Sequence, residues 1–383
     1  MDLSISDDQR LLEDSVVRFV RNEYEFDQRR ELVDSVDGFS RAHWATFAEL
    51  GWLALPFAEA DGGLGGDAVD LMIMMEQFGR GLVLEPYLPC ILLAGQAIAR
   101  AGNAAQRSAL LGGVIAGDTQ LAFAHVEPAS RFTLSHVETR AEAAGDGYRL
   151  TGAKAVVFNA AAADQFVVSA RTAGAATDPD GISLFVVPAN ADGITLRPYR
   201  TVDGLRAAEV ALEGVQLGAD ALLGEASAAL AVIEEVIDRA IAAVCAEAVG
   251  AMDVLRETTL EYLKTRKQFG VPIGKFQVLQ HRSVDMMIAC EEARSLTMMA
   301  TLSLDKPAAT RARAVSAAKV HVGKAGRQVS QDAVQMHGGM GMTEELKVGH
   351  YFKRLTMIDT LFGNVDHHLD RFAGDGPGGG RTA

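Results

Sequence analysis

The chain has 383 residues, of which 49% are apolar and 22% charged, enough for a large core and for two or three domains. A net charge of -14 argues against nucleic acid or an anionic membrane as the main partner. Met1-Asp2-Leu3-Ser4 carries no basic leader and no stretch could span a bilayer. Cys90, Cys245 and Cys290 lie far apart without metal-ligand spacing, so a cytoplasmic protein with buried thiols and no metal site is expected.

In chain order, the pattern predicts helix from Asp7 to about Gly117. Ser6-Asp7-Asp8-Gln9 forms the start, and Leu11, Leu12, Ser15, Val16 and Phe19 follow at helical spacing. Trp44 to Leu55 continues the apolar pattern as far as Pro56, and Asp61 to Gly66 is a glycine loop. That loop lacks the strand and helix context that a phosphate-binding loop requires. Helices are predicted again over Asp70–Phe78, Leu88–Ala101 and Gln106–Ile115. From about Thr119 the texture is β-type. Leu121–Ala124, Tyr148–Leu150, Phe166–Ala170, Ile182–Pro188, Glu209–Glu213 and Val215–Leu217 read as short strands between turn signals such as Gly145-Asp146-Gly147. Helices return at Ala228–Lys264, Phe276–Leu304, Ala308–His337 and Glu344–Arg371. The expected class is α+β: an N-terminal all-α domain (1–118), a middle β domain (119–225), a C-terminal four-helix bundle (226–373) and a flexible tail (374–383).

Two motifs carry chemistry. Thr265-Arg266-Lys267-Gln268-Phe269-Gly270-Val271-Pro272-Ile273-Gly274-Lys275-Phe276-Gln277 ends a long helix with a cation, an aromatic ring and a tight turn. Gln335-Met336-His337-Gly338-Gly339-Met340-Gly341 is glycine-dense at the end of another. Together they suit a dinucleotide: a guanidinium for pyrophosphate oxygens, a ring for adenine, and glycines where backbone N–H groups must approach closely. On these residues the chain resembles the acyl-CoA dehydrogenase family along essentially its whole length. The resemblance implies FAD as cofactor, an acyl-CoA thioester as substrate and an electron-transferring flavoprotein as electron acceptor. It also implies roles by position: Arg266 at the pyrophosphate, Phe269 at the adenine, and Gln335, Gly338 and Gly339 along the ADP part. Gln268, Phe276 and Gln277 lie nearby, and His337 is either a packed helix-end histidine or a ligand. In the family these motifs serve the flavin of a neighbouring subunit.

Three other family motifs are altered. The family's base, a Glu before Gly-Thr, is replaced in Met357-Ile358-Asp359-Thr360-Leu361-Phe362-Gly363-Asn364 by Phe362, which cannot abstract a proton. In His125-Val126-Glu127-Pro128-Ala129-Ser130-Arg131, Val126 stands for a flavin-facing hydroxyl residue. In Lys154-Ala155-Val156-Val157-Phe158-Asn159-Ala160, Val156 and Phe158 stand for a Trp and a Thr. What the family uses on its own flavin ring is lost, and what it offers to a neighbour's ADP moiety is kept. This pattern resembles the smaller subunit of two-subunit acyl-CoA dehydrogenases of the pimeloyl-CoA dehydrogenase type, and implies a heterotetramer with a related larger subunit.

Two acids could still act as a base on this chain. Glu247, in an apolar run of the long helix, is the better candidate and should have a raised pKa unless paired, its expected structural partner being a cation of the helix holding Lys319, Lys324 and Arg327. Family members with a base on this helix carry it at the position of Ala240. Asp359 is the second, and hydrogen bonding within the fold suits it better. Lys353-Arg354 reads as a solvated helix face, with a CoA phosphate or partner contact as the alternative. The methionines Met72, Met74, Met75, Met286, Met287, Met298 and Met299 read mostly as core. The alternatives to a clamp subunit are a self-sufficient homomeric dehydrogenase using Glu247 and an inert scaffold.

Overall fold

A computed structural model describes residues 5–374. Helices open the chain: α1 (Asp7–Glu23), α2 (Phe26–Asp34), α3 (Arg41–Glu49), α4 (Ala68–Gly81), α5 (Gln96–Ala101) and α6 (Ala104–Ile115). Eight strands follow: β1 (Leu121–Ala124), β2 (Arg140–Ala144), β3 (Gly147–Phe158), β4 (Gln165–Arg171), β5 (Ile182–Pro188), β6 (Ile194–Arg200), β7 (Arg206–Leu217) and β8 (Leu222–Leu223). The rest is α7 (Leu230–Thr265), the two short strands β9 (Lys267–Gln268) and β10 (Val271–Pro272), then α8 (Gln277–Thr301), α9 (Ala308–His337), α10 (Lys347–Thr360) and α11 (Val365–Gly374). The expected order of N-terminal helices, middle β domain and C-terminal helices is the order found. Of the expected tail, Gly374 ends α11 and the remainder lies outside the described residues.

Contacts group the chain into two compact units, one of 31–67 with 84–240, the other of the chain up to residue 30 with 68–83 and 241 onward. In the first, one sheet runs in the order β6-β7-β3-β2-β4-β5-β8, with β1 parallel to β4. Leu150, Phe166, Val168, Phe185, Val210 and Val215 build its core. Gly145-Asp146 is the loop of the β2–β3 hairpin, with Gly145 at φ 64°. The predicted strands at 209–213 and 215–217 are one strand, β7. Gly214, at φ 69°, is bulged where Thr151 pairs with Glu213 and Leu150 with Val215, so the ladder passes over it. A stretch predicted as helix over 88–101 instead starts as a π-helical segment, Tyr87–Gly95, before α5. β2 and β6 escaped the sequence reading because their exposed faces are polar or small (Arg140-Ala141-Glu142; Arg197-Pro198-Tyr199) and the apolar signal is thin.

In the second unit, α4 and α7 cross at backbone contact. A methyl group on Gly79 would overlap the Glu247 carbonyl, and one on Gly250 the Glu76 carbonyl, so glycine on each helix permits the approach. Arg294 of α8 then ties α4 to α7, with 2.7 Å bonds to both Glu76 oxygens and a 2.5 Å bond to Asp253. The helix predicted over 344–371 is two helices. Phe362 at φ 58° and Gly363 at φ 118° break it, and a helix cannot continue through two left-handed residues. Among the described residues no helix is long and apolar enough to cross a membrane, and no cluster of His, Cys, Asp and Glu could hold a metal. The three cysteines are free and buried.

Candidate functional site

The end of α7 is built to project side chains outward. β9 and β10 form a two-residue hairpin whose loop, Phe269-Gly270, has both residues at positive φ (53° and 79°). This is the backbone of a type I′ turn, in which a bulky residue at the first position is held at a cost. The Phe269 ring is 91% exposed and stands edge-on to Phe276 at 6.1 Å between centroids. Arg266 is locked at the backbone: its N–H donates to Tyr262 O at 2.8 Å and its carbonyl accepts from Ile273 N at 2.8 Å. Its side chain is exposed and makes no hydrogen bond or ion pair among the described residues. Gln268 and Gln277 are exposed beside it.

The glycine motif caps α9. Gly338 closes the helix at φ 61°, ψ -141°, a conformation reserved for glycine, and a Cβ on Gly338 or Gly339 would meet nothing within 4 Å. Backbone there is bare and approachable, and Gln335 is exposed one turn earlier. The two motifs are drawn to one end of the helices by a contact that sequence reasoning left open. His337 is buried, bonds Ala333 O through Nδ1 at 2.8 Å, and stacks on Tyr262 at 4.4 Å between centroids. Burial lowers its pKa. Tyr262 was not singled out beforehand; its place four residues before Arg266, one helical turn away, was the available signal. A 3.1 Å pair between Arg282 and Asp332 binds α8 to α9 nearby. An unpaired guanidinium, an exposed ring and bare glycine backbone fit a pyrophosphate and an aromatic base.

The altered β-domain motifs lie side by side, since Ala155 N donates to Val126 O at 2.8 Å. Their retained charges are spent inward. Lys154 Nζ, fully buried, donates to Glu127 at 2.7 Å and to Ser169 Oγ at 3.0 Å, and Glu127 also accepts from the N–H groups of Glu138 and Thr139. Burial alone would raise the Glu127 pKa, but Lys154 and these N–H donors outweigh it and hold the carboxyl below its usual range. Burial also lowers Lys154, to about 8, so both partners stay ionised at neutral pH. What remains to face a ligand is alkyl. Val156 is 40% exposed at φ 52°, on a bulge of β3, and Val126 is half-buried. No hydroxyl or indole stands at these two positions, and Phe158 is half-buried.

At Phe362, where the resemblance implies a base, the backbone carbonyl accepts from the His368 ring at 3.1 Å. Lys319 Nζ, buried on α9, donates to Asp359 O at 2.9 Å and Gly363 O at 2.7 Å, putting a cation at the C-terminal end of α10 where the helix dipole favours it. Burial pushes Lys319 down to about 8. The Asp359 carboxylate pairs with Arg327 at 2.8 Å. Glu247 is buried with each oxygen on one Arg354 guanidinium, at 2.6 and 2.7 Å. The expected α9 partner is therefore replaced by one from α10. Arg354 does not lie on a solvated face: Val348, Tyr351, Leu355 and Ile358 share its buried stripe, a helical period that the Lys353-Arg354 pair masks. Ala240 is buried. Of the methionines, Met74, Met75 and Met286 are buried and Met287 and Met299 are exposed.

Comparison with known proteins matches three family models in order: the N-terminal domain of acyl-CoA dehydrogenase over 6–118, the middle domain over 122–215, and the C-terminal domain over 230–374. The human mitochondrial short-chain specific acyl-CoA dehydrogenase is 31% identical over 336 residues, covering 85% of this chain and 80% of that one. Among solved structures, the Tcur3481-Tcur3483 steroid ACAD is 28% identical with a TM-score of 0.86, covering 96% and 97% of the two chains. The ChsE4-ChsE5 complex from Mycobacterium tuberculosis is 26% identical with a TM-score of 0.87, covering 97% of each. With three domains matched in order along the chain, it belongs to the FAD-dependent acyl-CoA dehydrogenase family.

Proposed function

We propose that this chain is the ADP-clamping subunit of a cytoplasmic heteromeric acyl-CoA dehydrogenase, and that a related larger subunit holds the flavin ring and supplies the base. The observation that carries this reading is the exposed, unpaired Arg266 beside a 91% exposed Phe269, on a chain whose base position is Phe362. Arg266 binds the pyrophosphate, and Phe269 and Phe276 flank the adenine. Gln268, Gln277 and Gln335 supply amide donors, and Gly338-Gly339 bring backbone N–H groups to the ADP oxygens. FAD, when bound, supplies a hydride acceptor for the β carbon of a CoA thioester while the α proton is removed. This chain's residues orient and retain it. An electron-transferring flavoprotein is the proposed acceptor, and the proposed domains run 1–118, 119–225 and 226–373.

Two further observations support association with another subunit. Val284, Met287 and Ile288 form an exposed apolar row on α8, at helical spacing, beside the exposed hairpin. The Tcur3481-Tcur3483 and ChsE4-ChsE5 structures are each named for a pair of proteins. A homomeric enzyme with Glu247 as base needs that carboxylate free, and its bidentate pairing with Arg354 weighs against it. An inert scaffold would have no reason to hold Phe269 in a strained, exposed turn.

The test is bound FAD per chain, measured by absorbance for this protein alone and co-expressed with a related larger subunit. Flavin only in the complex, at about one per pair of unlike chains, is the expected result. One FAD per chain in the isolated protein would overturn the clamp reading and make Glu247 the residue to substitute.

A further inference from the structure

Helix α8 is apolar on two sides. Its inner side, with Met286, Ala289, Cys290, Ala293, Thr297 and Ala300, is buried. A helix on the surface of a globular unit buries one such stripe and gives its other side to polar residues. Here the other side carries a second apolar stripe, about 120° wide at about 3.6 residues per turn. It opens with Val284, Met287 and Ile288, each nearly half exposed, and closes with half-buried Met298 and exposed Met299 and Leu302. On that stripe Glu291 and Ser295, both exposed, stand between the two apolar triplets.

The order of these residues is symmetric. From the N-terminal end the stripe runs from Val284 three residues to Met287, one to Ile288 and three to Glu291. From the C-terminal end it runs from Leu302 three residues to Met299, one to Met298 and three to Ser295. Steps of three and one recur on any helical face, but the matching character of the residues does not follow from helical geometry. A contact between two identical helices about a two-fold axis demands such a match, because residue i meets j and j meets i. Laid antiparallel in this register, Val284 meets Leu302, Met287 meets Met299, Ile288 meets Met298 and Glu291 meets Ser295. A shallow crossing of about 20° keeps all four pairs in contact along about 27 Å of helix, whereas a steep one would pack only the polar centre. Ser295 Oγ, which donates to Glu291 O of its own helix at 2.9 Å, supplies the donor that a facing carboxylate lacks. A different partner would make no demand for symmetry on this face.

We infer that α8 is where two copies of this chain meet, antiparallel about a two-fold axis. In a heterotetramer this joins two clamp subunits directly and leaves each clamp to a larger subunit. That consequence rests on the proposed heteromer, and the pairing of α8 with its copy does not. One helix face is small beside the roughly 800 Å² per partner of a standard interface, so the contact acts within an assembly that the larger subunits also hold together.

The experiment uses the flavin-loaded complex. The double variant Val284→Cys with Leu302→Cys, treated with oxidised glutathione, should give a covalent pair of this chain. Neither single variant should, because each position lies at the opposite end of the helix from its own copy. The native cysteines are buried, and both substituted positions are exposed. In sedimentation velocity, Ile288→Glu should turn a two-plus-two particle into a one-plus-one particle with FAD per pair unchanged. Each substitution enters a two-fold contact twice, so this association should weaken at least about a hundredfold. Leu11→Glu, at another exposed apolar residue, should leave the mass unchanged. The inference is overturned if the double variant links no better than the single ones, or if Ile288→Glu leaves the particle two-plus-two. Loss of the larger subunit from the Ile288→Glu particle would also overturn it and assign the face to that subunit. A linked pair formed by the isolated chain, with one FAD on each copy, would refute the clamp reading and keep this one.

Discussion

Arg266 and Arg354 belong to the same helical unit and have opposite fates. Arg354 is buried with both arms on the Glu247 carboxylate, while Arg266 is exposed with its backbone locked and its guanidinium bound to nothing in the described chain. The first is part of how the helices hold together. The second is a group the fold positions but does not use, which leaves it available to a ligand. The same contrast separates Lys154, spent on Glu127 inside the sheet, from Phe269, held at φ 53° in a loop that solvent surrounds.

The largest expected effect is on the spent pair. Arg354→Met leaves Glu247 buried without a partner and should cost about 3–5 kcal/mol of unfolding free energy, read from urea titration. Adding Glu247→Leu to that variant should restore most of the loss, because a well-packed apolar pair replaces the ion pair. If the single variant is as stable as the parent, the two arginines do not differ in kind. For Arg266→Ala the signs reverse: folding stability should stay within about 0.5 kcal/mol, and FAD retention by the complex should fall roughly 10–100-fold. Unchanged flavin content would break the clamp assignment.

Phe269→Gly sharpens the contrast within one residue. Glycine takes the left-handed conformation freely, so the chain should gain about 1 kcal/mol in stability while flavin retention falls. A loss on both counts would make the ring a packing element. The smallest effect is the change of slope on the sheet's acid limb, apart from the overall loss that unpairing buried Lys154 brings. The Glu127 pKa is depressed in the fold, so its contribution is fully present above the ordinary value of 4.5 and is lost as pH falls through the lower, folded value. Glu127→Gln should flatten stability against pH in that window, and an unchanged acid limb would show that the pair does not report on folding.

Most of the fold was legible because its signals are local. The Ala308–His337 helix and the Leu121–Ala124 and Ile182–Pro188 strands agree with the structure to the residue; Pro307 and Gly338 bound the first, Gly181 and Pro188 the last, and polar Gln120 and His125 flank the short apolar run between them. The failures are also local in cause. Gly214 looks like a break between strands and is a bulge inside one, and Phe362 looks like a helical residue and takes a left-handed turn before Gly363. Neither backbone choice follows from side-chain pattern, because each depends on what the neighbouring strand or helix requires.

By itself the sequence determined the family, the order of domains, the residues of the hairpin and glycine motifs, and the absence of a carboxylate at position 362. These are properties of residue identity and spacing. Only the tertiary structure decided which charged groups are spent and which are free. The sequence offers Glu247 as a base or as half of an ion pair, and α10 places Arg354 against both its oxygens. His337 could have been a ligand until Tyr262 stacked on it. An ionisable side chain carries the same chemistry wherever it stands, and its partners, which come from remote segments, decide whether that chemistry goes to stability or to a ligand.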